Sequence, residues 1–152
     1  MSTASAVEFA VLGAGAIGSI LSAHLACAGR SLALLARGQR AQQIQREGLR
    51  ITGLAEISTP VPVLTDPSQL RETQVLIVAM KASGTAAALQ ALRHIKVATV
   101  FSLQNGLLKN ELLAETFGQE RVLGALAPAT WRFLSDADCA LVLLLKLRKT
   151  WR

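Results

Sequence analysis

The chain has 152 residues, 51% of them hydrophobic, which suits one domain with a substantial core and is too short for two. Its formal charge is +6, but four basic residues and no acids follow Cys139 (Lys146, Arg148, Lys149, Arg152), so the preceding body carries only +2; with 4% aromatic residues and no Tyr, nucleic acid is excluded as a partner. No apolar run approaches the roughly 20 residues of a membrane span, the N-terminus has no secretory signal, and two cysteines, Cys27 and Cys139, suggest neither a disulfide framework nor a metal site, all of which points to a reducing, cytoplasmic setting.

The first predicted element is a strand, Val7 to Leu12, that passes into Gly13-Ala14-Gly15-Ala16-Ile17-Gly18 and opens a helix running to Ala28. Each glycine has a separate physical task in such a turn. Gly13 permits the sharp exit from the strand, Gly15 lets backbone N–H groups approach a pyrophosphate, and Gly18 lets the helix lie against the strand. Ile17, Leu21, Leu25 and Ala28 form one stripe of the helix, and Gly29 stands where a left-handed C-cap belongs. With a second strand at Ser31 to Ala36, the whole forms a βαβ unit of dinucleotide-binding type, with the phosphates at the helix N-terminus.

A helix over Ala41 to Glu47 closes at Gly48, and Leu49 to Thr52 and Ile57 to Leu64 read as short or edge strands, since Pro60 and Pro62 forbid a central position. Asp66-Pro67-Ser68 is a turn or helix start. The continuous apolar run Val75 to Met80 predicts a buried parallel strand, followed by a helix over Gly84 to Ile95 and another buried strand over Ala98 to Leu103. A helix over Asn110 to Phe117 and a strand over Arg121 to Leu126 complete a Rossmann-type, doubly wound, mostly parallel α/β sheet over residues 1–134. Residues 135–152 form an atypical tail in which periodicity disappears: either a last buried strand or short helix, or the product of a truncation or a shifted reading frame.

Arg37 falls where the unit distinguishes its cofactors. An acidic residue there accepts a ribose 2′-hydroxyl; an arginine, with Arg40 a turn further on, suits a 2′-phosphate and favours NADP over NAD. Lys81 and Asn105 follow consecutive central strands at the edge where open α/β sheets bind ligands. Taken alone, Lys81 either meets a phosphate, ribose or carboxylate or snorkels to solvent, and Asn105 is as well explained as a cap on the following helix.

Together, Gly13 to Gly18, Leu34-Leu35-Ala36-Arg37-Gly38, Val78-Ala79-Met80-Lys81-Ala82 with Thr85, and Leu103-Gln104-Asn105-Gly106 resemble the ketopantoate reductases (2-dehydropantoate 2-reductases). The resemblance spans about residues 7–134, that family's N-terminal cofactor domain. It implies NADPH-dependent reduction of 2-dehydropantoate to pantoate in pantothenate synthesis. It also implies a pyrophosphate held by Gly13, Ala14, Gly15, Ala16, Ile17 and Gly18, a 2′-phosphate on Arg37, and a cleft lined by Lys81 and Asn105. Two departures stand against it. Leu108 replaces a second glycine after Asn-Gly and is expected to alter the entry to the next helix, and the chain ends before the helical domain that supplies the family's principal catalytic lysine and much of its dimer interface. The expectation is therefore a cofactor-binding fragment with little activity alone, completed by a homo-oligomer or a second chain. The alternatives are a non-catalytic NADP-binding or sensing module, another NADP-dependent 2-keto acid reductase, or a non-functional fragment.

Overall fold

Strand β1 (Ser5–Leu12) lies at the centre of a sheet whose other members are β2 (Leu32–Leu35), β5 (Val63–Leu64), β6 (Leu70–Val78) and β7 (Lys96–Ser102). The computed structural model describes residues 5–53, 56–106 and 108–125. The order across the sheet is β5-β2-β1-β6-β7, and every pairing within it is parallel. The direction of travel reverses between β1 and β6, which opens a crevice at the carboxyl ends of the strands.

The alternation of side chains across the pleat builds two cores. Ala10, Leu12, Leu76, Val78 and Val100 face helices α3 (Thr85–Ala91) and α4 (Lys109–Phe117), joined by Leu89, Leu92, Leu113 and Phe117. Val11, Leu34, Ile77 and Phe101 face the opposite side, where α1 (Ala16–Cys27) contributes Leu21 and Leu25 and α2 (Gly38–Glu47) contributes Ile44. Central strands covered on both faces need apolar residues at successive positions, which is why these runs are continuous in sequence.

Helix α1 ends as expected. Gly29, at φ +68°, directs its N–H to the Ala26 carbonyl while Arg30 N–H reaches Leu25, the paired bonds of a Schellman cap. Its buried face is made by Gly18, Ser19, Leu21, Ser22, Ala23 and Leu25; Ala28, assigned to the apolar stripe, is exposed because the helix has already ended.

Several boundaries differ from expectation, each for a local reason. The run 57–64 is split by Pro60 and Pro62: β4 (Ile57–Thr59) pairs antiparallel with β3 (Leu49–Ile51) in a separate ribbon, and β5 joins the main sheet at its edge. Asp66 accepts the Ser68 N–H at 2.9 Å and starts a 3-10 turn, Pro67–Gln69, after which β6 begins five residues earlier than its apolar run. Helix α3 stops at Ala91, where i to i+3 bonds at Leu92, Arg93 and Ile95 tighten the chain into β7. Over the described part of Arg121 to Leu126 the expected strand is reduced to a parallel bridge between Val122 and Val100. The N–H groups of Arg121 and Val122 are taken by turn carbonyls, so the first ladder bond to β7 is Leu123 N–H to Val100 O at 2.9 Å. The tail, residues 135–152, lies outside the described residues.

Leu76 is fully buried between β1 and β7, whereas Leu108 is 64% exposed. Leu76→Ala is expected to destabilise the fold by about 2–5 kcal/mol and Leu108→Ala by no more than about 0.5 kcal/mol, as measured by urea unfolding.

Candidate functional site

The crevice is built on the bend between β1 and α1. Gly13 has φ +110°, and a Cβ there would lie 2.8 Å from the Cβ of Met80, so the bend and the end of β6 touch backbone to side chain. A Cβ on Gly18 would run into the Gly13 carbonyl oxygen, so α1 packs directly on the bend. At Gly15, the N-cap of α1, an added Cβ would meet nothing within 4 Å, and the first-turn N–H groups behind it have no intrahelical acceptor. Ala16 is also exposed, so this end of the helix, with its positive dipole, opens outward.

Beside the bend is a cavity of about 400 Å³ with walls from Leu12, Leu35, Leu64, Pro67, Ala88 and Leu92 and with Gly13, Ala14, Arg37 and Arg40 at its rim. The two arginines differ in what they do. Arg40 donates from Nε to the Ala14 carbonyl at 3.4 Å, from one terminal nitrogen to Gln43 Oε1 at 3.0 Å, and from the other to Ser19 Oγ at 3.2 Å, tying α2 to the bend and to α1. Arg37 is exposed and has no side-chain partner among the described residues. It stands two residues beyond β2, at the N-cap of α2, rather than at the end of a longer strand.

Lys81 and Asn105 lie outside the cavity wall, on exposed loops. β6 ends at Val78 and β7 at Ser102, and these two residues are register partners, so Lys81 and Asn105 each stand three positions past the same rung. Asn105 does not cap α4, whose N-cap is Leu108 with no side-chain bond. Nor does Leu108 disturb the helix entry, because its φ of −79° and ψ of −4° are ordinary right-handed values that need no glycine.

Two residues of the quoted motifs that were given no role there, Gln104 and Thr85, hold these loops together with Ser102 and Lys109. Gln104 donates from Nε2 to the Met80 carbonyl (2.9 Å) and to Thr85 Oγ1 (2.6 Å), and its Oε1 accepts from Ser102 Oγ (3.0 Å). Lys109 Nζ donates to the carbonyls of Ser102 (3.2 Å), Gln104 (2.7 Å) and Ala125 (2.7 Å), and burial draws its ammonium below the ordinary lysine pKa. Gln104 adjoins Asn105 and Thr85 belongs to the Lys81 segment, so their sequence neighbourhood was the available signal; nothing local marks Lys109. Among the described residues no cluster of His, Cys, Asp or Glu could hold a metal ion, and no helix is long and apolar enough to cross a membrane.

A parallel sheet of this order, with a glycine bend leading from its central strand into a helix, defines a Rossmann-type domain. The chain belongs to the ketopantoate reductase PanE/ApbA family, which it matches over residues 9–142. It is 34% identical over 115 residues to the 2-dehydropantoate 2-reductase of Pyrococcus abyssi, an alignment covering 75% of this chain and 38% of that protein. Among solved structures, it is similar to the PanE/ApbA family ketopantoate reductase of Ralstonia eutropha, at 32% identity and TM-score 0.69 over 76% of this chain and 40% of that one. It is also similar to the 2-dehydropantoate 2-reductase of Geobacter metallireducens, at 27% identity and TM-score 0.71 over 78% of this chain and 40% of that one. The chain thus spans about two fifths of the length of these relatives.

Gly18→Ala is expected to cost about 1–3 kcal/mol, since the Gly13 carbonyl must move, while Gly15→Ala, which meets open space, should cost less than about 1 kcal/mol; chemical denaturation of the two variants checks the contrast.

Proposed function

We propose that this chain binds NADPH along the carboxyl edge of its sheet and serves the reduction of a 2-keto acid, 2-dehydropantoate being the substrate that its family supports. The residues present fit such a cofactor. The open end of α1 at Gly15 offers N–H groups and a positive dipole to a pyrophosphate, with Gly13, Ala14, Ala16, Ile17 and Gly18 shaping the cradle. The apolar cavity suits an adenine ring.

The observation that carries the reading is the contrast between the arginines at the rim. Arg40 is engaged by the bend, whereas Arg37 is exposed and without a partner among the described residues, a guanidinium free to grip a 2′-phosphate. When bound, the reduced nicotinamide supplies a hydride to the ketone carbon. Lys81 and Asn105 line the cleft beside both cofactor and substrate: Lys81 offers an ammonium to the cofactor and to the negative charge of substrate or developing alkoxide, and Asn105 a neutral donor and acceptor.

Fluorescence titration with NADPH and NADH tests the assignment. The chain should prefer NADPH, and Arg37→Ala should weaken NADPH by at least about tenfold while leaving NADH within about twofold. Equal affinity for the two cofactors in the unsubstituted chain overturns it. Following NADPH consumption with 2-dehydropantoate then separates a reductase from a module that holds the cofactor without turnover.

A further inference from the structure

We infer that Gln104 is a positioning residue that locks the Lys81 loop and the Asn105 loop to each other, so that both are presented to the cofactor as one unit; this rests on the placement of Lys81 and Asn105 in the NADPH cleft.

The two loops leave adjacent parallel strands at the same rung, and the last ladder bond between those strands is Leu103 N–H to Val78 O at 2.9 Å. Beyond that bond, the Gln104 carboxamide takes over. One Nε2 hydrogen goes to the carbonyl of Met80, and the other goes to Thr85 Oγ1, which donates in turn to the carbonyl of Lys81 at 3.2 Å. The peptide groups on both sides of the Lys81 Cα are therefore held through one side chain from the neighbouring loop. The amide has one workable orientation, because the Met80 carbonyl can only accept and the remaining Oε1 is met by the Ser102 hydroxyl.

Residue 104 is held on its own main chain as well. Its N–H donates to Ser102 Oγ at 3.1 Å and its carbonyl receives Lys109 Nζ at 2.7 Å. Asn105 follows immediately, exposed, with its side chain unbonded among the described residues. Thr85 and Ser102 are almost fully buried, so the bonds they share with Gln104 are shielded from water and leave costly unpaired groups if broken.

Three variants and two measurements test the inference. Gln104→Met keeps the length of the side chain and removes its donors; Thr85→Val breaks the relay to Lys81, and Thr85→Ser keeps it. In the ligand-free chain, hydrogen exchange should accelerate in Gln104→Met around both residues 80–85 and residues 103–106, while β1 and α1 keep their protection. NADPH binding should weaken about tenfold in Gln104→Met and Thr85→Val, return to within about twofold in Thr85→Ser, and keep its preference over NADH. In a Lys81→Ala background, Gln104→Met should add less than about twofold. Faster exchange in only one loop, unchanged exchange, or a full tenfold loss persisting without Lys81 overturns the inference. A chain that binds no NADPH refutes the cofactor reading alone, and the exchange data then decide whether Gln104 joins the loops.

Discussion

The carbonyl of Gly13 lies so near the Cα of Gly18 that no side chain fits between the exit of β1 and the first turn of α1. The rest of the carboxyl edge is arranged around that contact. Because α1 sits directly on the bend, its open N-terminus faces the crevice between β1 and β6 instead of being carried away on a longer loop. Because Gly13 also abuts Met80, the end of β6 is drawn against the same bend, and the Met80 carbonyl is in turn held by Gln104 beyond β7. A chain of close contacts thus crosses the edge from α1 through β1 and β6 to β7.

The cations of this edge divide into those engaged by the scaffold and those left exposed. Arg40 directs its donors to Ala14, Gln43 and Ser19, and Lys109 directs all three of its own to main-chain carbonyls, where loss of water lowers its affinity for the proton. Arg37 and Lys81 remain exposed on either side of the bend. The division matters because a guanidinium with three of its five donors already committed to the protein has less to offer a phosphate than an unpartnered one.

Much of this was legible from residue order. The glycines of the first bend, the apolar runs of β6 and β7 and the cap at Gly29 each reflect a requirement met within a few residues: steric room, burial on both faces, or a left-handed φ. Leu108 shows the opposite case, since a departure from the family pattern that suggested disturbance sits in ordinary helical backbone with its side chain in solvent. Of the strand expected over Arg121 to Leu126, the described residues show a parallel bridge from Val122 to Val100 rather than a full ladder, because the first N–H groups are claimed by a turn, a competition that hydrophobicity does not register. The division of 57–64 between two sheets was similarly beyond a periodicity argument, which detects extended chain but not its partner.

The order of residues by itself determined a doubly wound sheet, a tight glycine bend between its central strand and the first helix, and two charged or polar side chains beyond consecutive strands. These follow from local sterics and from the alternation of apolar and polar positions. Only the tertiary structure decided that Arg40 serves the bend while Arg37 has no partner among the described residues, that Gln104 bridges two loops, and that Lys109 gathers three carbonyls. Each of those outcomes depends on which acceptors lie within about 3 Å of a flexible donor, and the folding of the whole sheet brings them there from distant parts of the chain.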